Sequence, residues 1–399
     1  MKSEQSRIIV IADDFTGAAE VAGIGMSHGL DTRLVHGVLP ETLTQLTVID
    51  SGIRSLAPKT VPQHLNQLLE KLKLISNYQL FIKIDSVMRG HILLMLKCFL
   101  ELEQFDRVLL LPGNPAMGRW VEDGVFMIDD VPLHLTEFAH DPEFPVKNPS
   151  MLNLLGHNDT NDVRIIDPGE ILEPDTICLG NLNSDTDLEL HMECLRPNIL
   201  LAGSGATFET LLGSLDYKST SPDMEDETAP LGKVLLVQGS RSQVAMQGQW
   251  ILAGQGVPIC KFPAELSVDN ISSKGYQHEW GNQVIRELQR SPLVVVSVEG
   301  PIVTEAGFPK KLTESMAELV QIVVQKVALD ELIIEGGATA SAILKRFPNE
   351  IYRPIAVPAP GVVRLKAEHA GMNITTKVGS YSWPTGSVVT YLNPETIKS

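Results

Sequence analysis

Residues 8–21 read IIVIADDFTGAAEV, and the fold depends on how that stretch is parsed. Residues 8–12 are a β-branched apolar run of strand length, too short to span a membrane. Asp13 and Asp14 stand at its carboxyl end, and Thr16 and Gly17 open a helix of small residues. The expected unit is strand, turn, helix, the repeating element of a parallel α/β sheet, whose ligands bind at the carboxyl edge of the strands. Asp14 would also serve such a helix as its N-cap. The acid pair therefore takes chemical meaning only from what other strand ends bring to it.

Moving outward, the same unit recurs. Strands are expected over 31–36 and 46–50, the latter ending in Asp50, Ser51 and Arg54, and an amphipathic helix over 61–75 carries Val61, Leu65, Leu68, Leu69 and Leu72 on one face. Residues 79–100, QLFIKIDSVMRGHILLMLKCFL, repeat the strand-turn-helix pattern with Lys83, Asp85, Ser86, Arg89 and His91 around the turn. After a strand over 107–111, residues 113–149 break into short apolar pieces and are expected as a hairpin excursion. Strands over 163–166, 176–179 and 198–202 and helices over 188–195 and 206–212 complete the first half.

Residues 215–230, LDYKSTSPDMEDETAP, have the polar, acidic, proline-bounded composition of a linker. The expected domains are 1–214 and 231–399. In the second, a strand over 233–237 leads into Gln238-Gly239-Ser240-Arg241-Ser242. Further strands are expected over 258–261, 293–298 and 331–334, with helices over 276–288 and 309–327. The fold class is α/β: two α/β domains with mainly parallel sheets and a cleft between them.

Composition bounds the function. The 399 residues are 43% hydrophobic and 20% charged, which describes a globular protein long enough for two domains. A net charge of −17 argues against nucleic-acid or anionic-membrane partners, which require a positive footprint. Four scattered cysteines without a C-x-x-C pair suggest neither disulfides nor zinc, and a cytoplasmic location is expected, with no signal-peptide core after MKSEQSR. His134, His140 and Asp141 match no strong metal spacing, so no protein metal site is expected.

Gly336-Gly337-Ala338-Thr339, where strand passes into helix, has the parts of an anion cradle, since glycines admit close backbone approach and helix-start amides point at negative charge. A tight turn using glycine for freedom alone has the same parts. Gly239-Ser240-Arg241-Ser242 adds a second helix-start loop. No Walker sequence occurs, and the first strand is not followed by G-x-G-x-x-G, which disfavours a nicotinamide-dependent dehydrogenase. In the first domain, carboxylates beside cations and a hydroxyl suit proton abstraction from an alcohol on an acidic substrate.

Taken in order, IADDFTGAAE, KIDSVMRGH, NPAMGRWVEDG, FAHDPEFPV, QGSRS, EGGATA and TKVGS resemble the successive blocks of the four-carbon acid sugar kinase family over nearly the whole chain. The resemblance implies ATP-dependent phosphorylation, with Mg²⁺, of a small-molecule sugar acid of the erythronate, threonate or 3-oxo-tetronate type, and it leaves room for a homodimer. It implies nucleotide contacts at Ser240, Ser242, Gly336, Gly337, Ala338, Thr339 and Gly379. On the sugar side it implies Asp14 and Asp85 as catalytic candidates, with Asp13, Arg54, Lys83, Ser86 and Arg89 holding substrate. The chain departs from the family at Ile82, at Val87-Met88 and at Ser380-Tyr381-Ser382-Trp383, so a divergent member is expected. The rival is a non-catalytic sensor that kept the fold.

Overall fold

The computed structural model describes residues 7–141, 143–156, 162–219, 232–239, 243–262, 274–298, 307–378 and 383. The chain divides into two compact units, Met1–Thr220 and Ser221–Ser399. Residues 220–231, which include most of the expected linker, lie outside the described residues, as do Ser240, Ser242 and Gly379.

In the first unit, β1 (Arg7–Ala12), α1 (Phe15–Ser27), β2 (Thr32–His36), β3 (Leu46–Asp50), α2 (Val61–Leu72), β4 (Tyr78–Lys83), α3 (Ile92–Phe99) and β5 (Arg107–Leu111) keep the expected alternation. Next come β6 (Arg119–Glu122), β7 (Val125–Ile128), β8 (Val131–Pro132), α4 (Met151–Leu154), β9 (Val163–Ile166), β10 (Ile177–Gly180), α5 (Asp185–Glu193), β11 (Ile199–Gly203) and α6 (Gly205–Ser214). Among the described residues of this unit, eight strands form a parallel sheet in the order β2-β3-β1-β4-β11-β5-β10-β9. Ile8 to Ala12 are buried along the whole strand, as expected of a parallel strand covered on both faces.

Small residues let α1 lie close to this sheet. A Cβ on Gly25 would fall 2.1 Å from Leu46 Cδ2, so a larger residue there would lift the helix off β3. Helix α2 buries the five predicted apolar positions and ends at Leu72, three residues early. Residues 113–149 are richer than a hairpin: β6, β7 and β8 form a small antiparallel sheet. Its turns use left-handed backbone at Asp123, Gly124, Asp129 and Asp130, the geometry that two-residue hairpin turns require.

The second unit contains β12 (Val234–Gln238), α7 (Gln243–Gly254), β13 (Ile259–Lys261), α8 (Lys274–Leu288), β14 (Leu293–Ser297), α9 (Phe308–Val324), β15 (Glu331–Glu335) and α10 (Gly337–Leu344). It ends in β16 (Ile351–Ala359), β17 (Val362–Ala367) and β18 (Asn373–Lys377), which the sequence pattern does not announce. Strands β13-β14-β12-β15-β18 pair in parallel, while β17 runs antiparallel between β18 and β16. Pro354 and Pro358 hide β16, because proline interrupts a ladder; the register shifts at Pro354/Ala356 and Ala356/Ala359 accommodate the irregularity.

Candidate functional site

In the first unit the chain switches direction between β1 and β4: β1 connects toward β2 on one side, whereas β4 leads on to β5 on the other. The carboxyl edge at such a switch point is where an open α/β sheet leaves a crevice. Asp13 and Asp14 leave β1 there, Asp85 and Ser86 leave β4, and Arg54 arrives from the turn after β3.

Arg54 ties these ends together. Its Nε and Nη2 donate to the two oxygens of Asp13 at 2.8 Å each, its Nη1 donates to Asp14 Oδ2 at 2.6 Å, and Nη1 lies 3.6 Å from Asp85 Oδ1. Asp14 is also the N-cap of α1: Oδ1 accepts the Gly17 amide at 2.8 Å and Oδ2 the Thr16 hydroxyl at 2.8 Å. The capping residue thus also belongs to the acid cluster around Arg54. Gly90, with φ of 102°, passes close by; a Cβ there would lie 3.3 Å from Asp13 Oδ2. This is backbone that only glycine adopts without strain.

Asp85 forms a second fork. Arg89 Nε and Nη2 donate to its oxygens at 2.8 and 2.9 Å, and the Arg89 amide donates at 3.2 Å. The third guanidinium nitrogen, Nη1, donates to Asp141 Oδ2 at 3.1 Å, and the Phe138 ring lies under the guanidinium at 5.5 Å. The segment after β8 thus packs onto the strand-end cluster. His91 Nε2 lies 2.7 Å from the Leu56 carbonyl, and its ring meets the edge of Phe144.

Three residues expected to hold substrate have partners within the chain. Arg54 and Arg89 do not present free forks to a substrate carboxylate, because every guanidinium nitrogen donates to the chain's own Asp13, Asp14, Asp85 or Asp141. Lys83 does not face solvent as a substrate ligand would: it is buried, with Nζ 3.1 Å from Glu20 and donating to the Ile84 carbonyl at 3.0 Å. It pins α1 to β4 instead. Ser86 meets Arg119, a buried residue from the turn after β5 that carries no strand-end signal in the sequence.

The electrostatics separate two of the acids. Burial, reinforced by Asp14 and Asp85, raises the Asp13 carboxyl to about 6 despite the opposing pull of Arg54. Burial alone would raise Asp85 too, but the charges of Arg89 and Arg54 and the Arg89 hydrogen bonds outweigh it and hold that carboxyl well below the usual range. Groups on adjacent strands with protonation pushed apart are the pattern of acid-base sites.

Replacing Arg89 by lysine gives a point charge in place of a fork. If, as the resemblance implies, this unit binds a sugar acid and the second unit ATP, Arg89→Lys is expected to raise the acid's KM several-fold while leaving the KM for ATP unchanged, because it loosens Asp85 and Asp141. Steady-state titration of each substrate at saturation of the other checks it, and an equal rise in both constants would reject the assignment.

In the second unit, β15 ends at Glu335 and Gly336 comes next with φ of 105°, directly before α10. Its N-cap residue, Gly336, offers no side chain to the first amides of the helix, which can therefore meet another acceptor. Gly239 passes beside Thr339 so closely that a Cβ on it would fall 1.9 Å from the Thr339 hydroxyl oxygen. Gly239 therefore stands beside Thr339 in the first turn of α10.

The family description Sugar-binding N-terminal domain matches residues 8–191. Over nearly their full lengths, the chain is 21% identical to a 3-oxo-tetronate kinase of Haemophilus influenzae, covering 93% of this chain and 96% of that one. It is 22% identical to a 3-oxo-tetronate kinase of Cupriavidus necator, covering 94% of each. A D-threonate kinase of Salmonella typhimurium is 30% identical over 35% of this chain and 34% of its own. Among solved structures, Haemophilus influenzae protein HI1011 superposes with a TM-score of 0.67 at 19% identity, covering 98% of this chain and all of that one. A Salmonella typhimurium LT2 protein described as a tRNA synthase superposes with a TM-score of 0.72 at 18% identity, covering 95% and 96%, a likeness of fold alone. Residues 8–191 thus match a sugar-binding N-terminal domain, and along nearly its whole length the chain is similar to 3-oxo-tetronate kinases.

Proposed function

We propose that the protein is an ATP-dependent kinase that phosphorylates a four-carbon sugar acid of the erythronate, threonate or 3-oxo-tetronate type. The observation that carries the reading is the gathering of Asp13, Asp14 and Asp85 around Arg54 at the switch point of the sugar-binding unit. A phosphoryl acceptor is an alcohol, and a carboxylate at a strand end can take its proton as the bond to phosphorus forms. We place the sugar acid in the first unit and ATP in the second.

The uncapped start of α10 and the paired glycine loops fit a nucleotide's phosphates. Mg²⁺ would arrive with ATP, since it is commonly held by phosphate oxygens, water and one or two carboxylates rather than by a protein cage. Among the described residues no group of three or more His, Cys, Asp or Glu side chains forms such a cage. The bound ion would offset charge on the phosphates. A cytoplasmic location fits the free thiols Cys98, Cys178, Cys194 and Cys260. No helix among the described residues is long and apolar enough to cross a membrane.

The test is purified protein with Mg-ATP and a panel of four-carbon sugar acids, read by ADP release and by the phosphorylated product. Turnover of none of them, with ATP bound, would favour the sensor reading. Gly337→Val provides the second check. The branched side chain at the first helical position crowds the amides meant for phosphate. ATP is expected to raise the thermal midpoint of the wild type and to leave that of Gly337→Val unmoved, and an equal shift in both would reject this phosphate site.

A further inference from the structure

The second unit contains a buried ionic pair that the proposed reaction leaves unused. Glu335 and Lys377 are the last residues of β15 and β18, directly opposite each other in parallel register, and both are essentially inaccessible to water. Lys377 Nζ lies 3.0 Å from Glu335 Oε1 and donates to the Val378 carbonyl at 3.2 Å. The other carboxylate oxygen, Oε2, accepts from Gln238 Nε2 at 2.9 Å and from the Trp383 indole at 3.4 Å, and Nζ also faces the Trp383 ring at 5.7 Å. Gln238 is the last residue of β12 and pairs in register with Glu335.

Three neighbouring strands thus end in one polar knot. The backbone continues it: the Gly239 amide donates to the Glu335 carbonyl and the Gly336 amide to the Lys377 carbonyl, each at 3.2 Å. Gln238, Glu335 and Lys377 lead directly into Gly239, Gly336 and Val378, the first residues of the three loops assigned to the nucleotide. Burying two charges here gives little net stability, because the desolvation cost of such a pair consumes most of its Coulomb attraction, and apolar residues of similar size would hold the strands as well. The pair does constrain direction. Its hydrogen bonds fix where each loop departs, and Trp383, in the stretch where the chain departs from the family it resembles, contributes one of them.

We propose that Lys377 is a positioning residue: paired with Glu335, it clamps the three strand ends so that Gly239, the start of α10 and Val378 are held in a common arrangement suited to ATP's phosphates. This rests on the assignment of ATP to the second unit. Lys377 acts through Glu335 and the loop backbone, and no contact with the nucleotide is required of it.

The test compares Lys377→Met, Glu335→Gln and the double variant Glu335→Gln/Lys377→Met, in full-length protein, by thermal midpoint, ATP-induced shift and separate KM values for ATP and the acid. Each single variant is expected to lose stability, because it leaves one buried group without its partner. The double variant removes both charges and is expected to regain a midpoint near that of the wild type, while its KM for ATP stays at least tenfold raised and its KM for the acid is unchanged. A double variant that recovers both the midpoint and the KM for ATP would overturn the proposal, as would one no more stable than the singles, since the pair would then serve the fold alone. If the wild type shows no ATP-induced shift and no ATP turnover, the assignment of ATP falls and the clamp's role with it. If the wild type responds to ATP and the double variant responds equally, only the clamp falls.

Discussion

Arg54→Met is expected to cost about 3–5 kcal/mol of stability at neutral pH, the range for removing one member of a buried charge network. Arg54 is shared by Asp13 and Asp14, and it also approaches Asp85. Methionine keeps much of the stem's volume and removes all three donor groups. Two buried carboxylates on consecutive residues are then left without their cation, and Asp85 keeps only Arg89. The loss is expected to be largest at pH 8 and to shrink toward pH 5, because protonation is the remaining way to relieve the repulsion. The sign comes from linkage: Arg54 pulls the Asp13 and Asp85 carboxyls down, so removing it raises their folded-state affinity for protons and the variant gains stability relative to wild type as pH falls. Denaturant melts at pH 5 and pH 8 measure it. A loss below about 1 kcal/mol at both values, the size typical of an exposed pair, would show that the cluster does not depend on this guanidinium.

How much of this is legible in the sequence differs between its parts, for physical reasons. The parallel core is readable because each strand is an unbroken β-branched run between turn residues, as in residues 8–12 and 331–334, and local pattern determines such strands. Strand β16 is not, because its prolines contradict the local rule and its place in the sheet comes from pairing with β17. The site residues are legible as strand-end chemistry, since Asp13, Asp14, Arg54, Asp85 and Arg89 come together where the pattern puts strand ends. What the sequence cannot show is who pairs with whom. A free arginine fork and a committed one look the same in a string of letters, and the commitment of Arg89 to Asp141 joins residues 52 positions apart. Lys83 resembles a ligand because it lies next to the turn. The strand's alternation instead directs it beneath α1, where Glu20 meets it. Glu335 and Lys377 carry no local signal at all, because an ionic pair between strand ends exists only once β15 and β18 are neighbours.

For the catalytic base the sequence suggests Asp14, with Asp85 as its competitor; on the hydrogen bonding we propose Asp13 instead. Asp14 is engaged by the Gly17 amide, the Thr16 hydroxyl and Arg54, so its first duty is to the start of α1. Asp85 is held strongly anionic by Arg89 and Arg54, which makes it a weak acceptor. Among the described side chains Asp13 accepts hydrogen bonds from the Arg54 fork, keeps a second lone pair on each oxygen, and is raised to about 6, close to the working pH of a general base. Asp13→Asn is therefore expected to lower the single-turnover rate by roughly two to four orders of magnitude with ATP and acid binding retained. Asp14→Asn keeps a capping side chain, and Asp85→Asn weakens Arg89; both are expected to act mainly through binding or stability. The wild-type rate should fall as pH drops below about 6, where Asp13 takes up its proton. Stability moves the other way. A carboxyl raised in the folded state holds its proton more tightly than in the unfolded chain, so ionising it costs stability as pH rises from about 4 to about 6. Asp13→Asn should thus be no less stable than wild type at pH 8 while nearly inactive, a combination that a purely structural role for Asp13 does not produce. If Asp13→Asn keeps near-normal turnover and Asp14→Asn or Asp85→Asn loses it with binding intact, the base is the aspartate whose loss abolishes turnover.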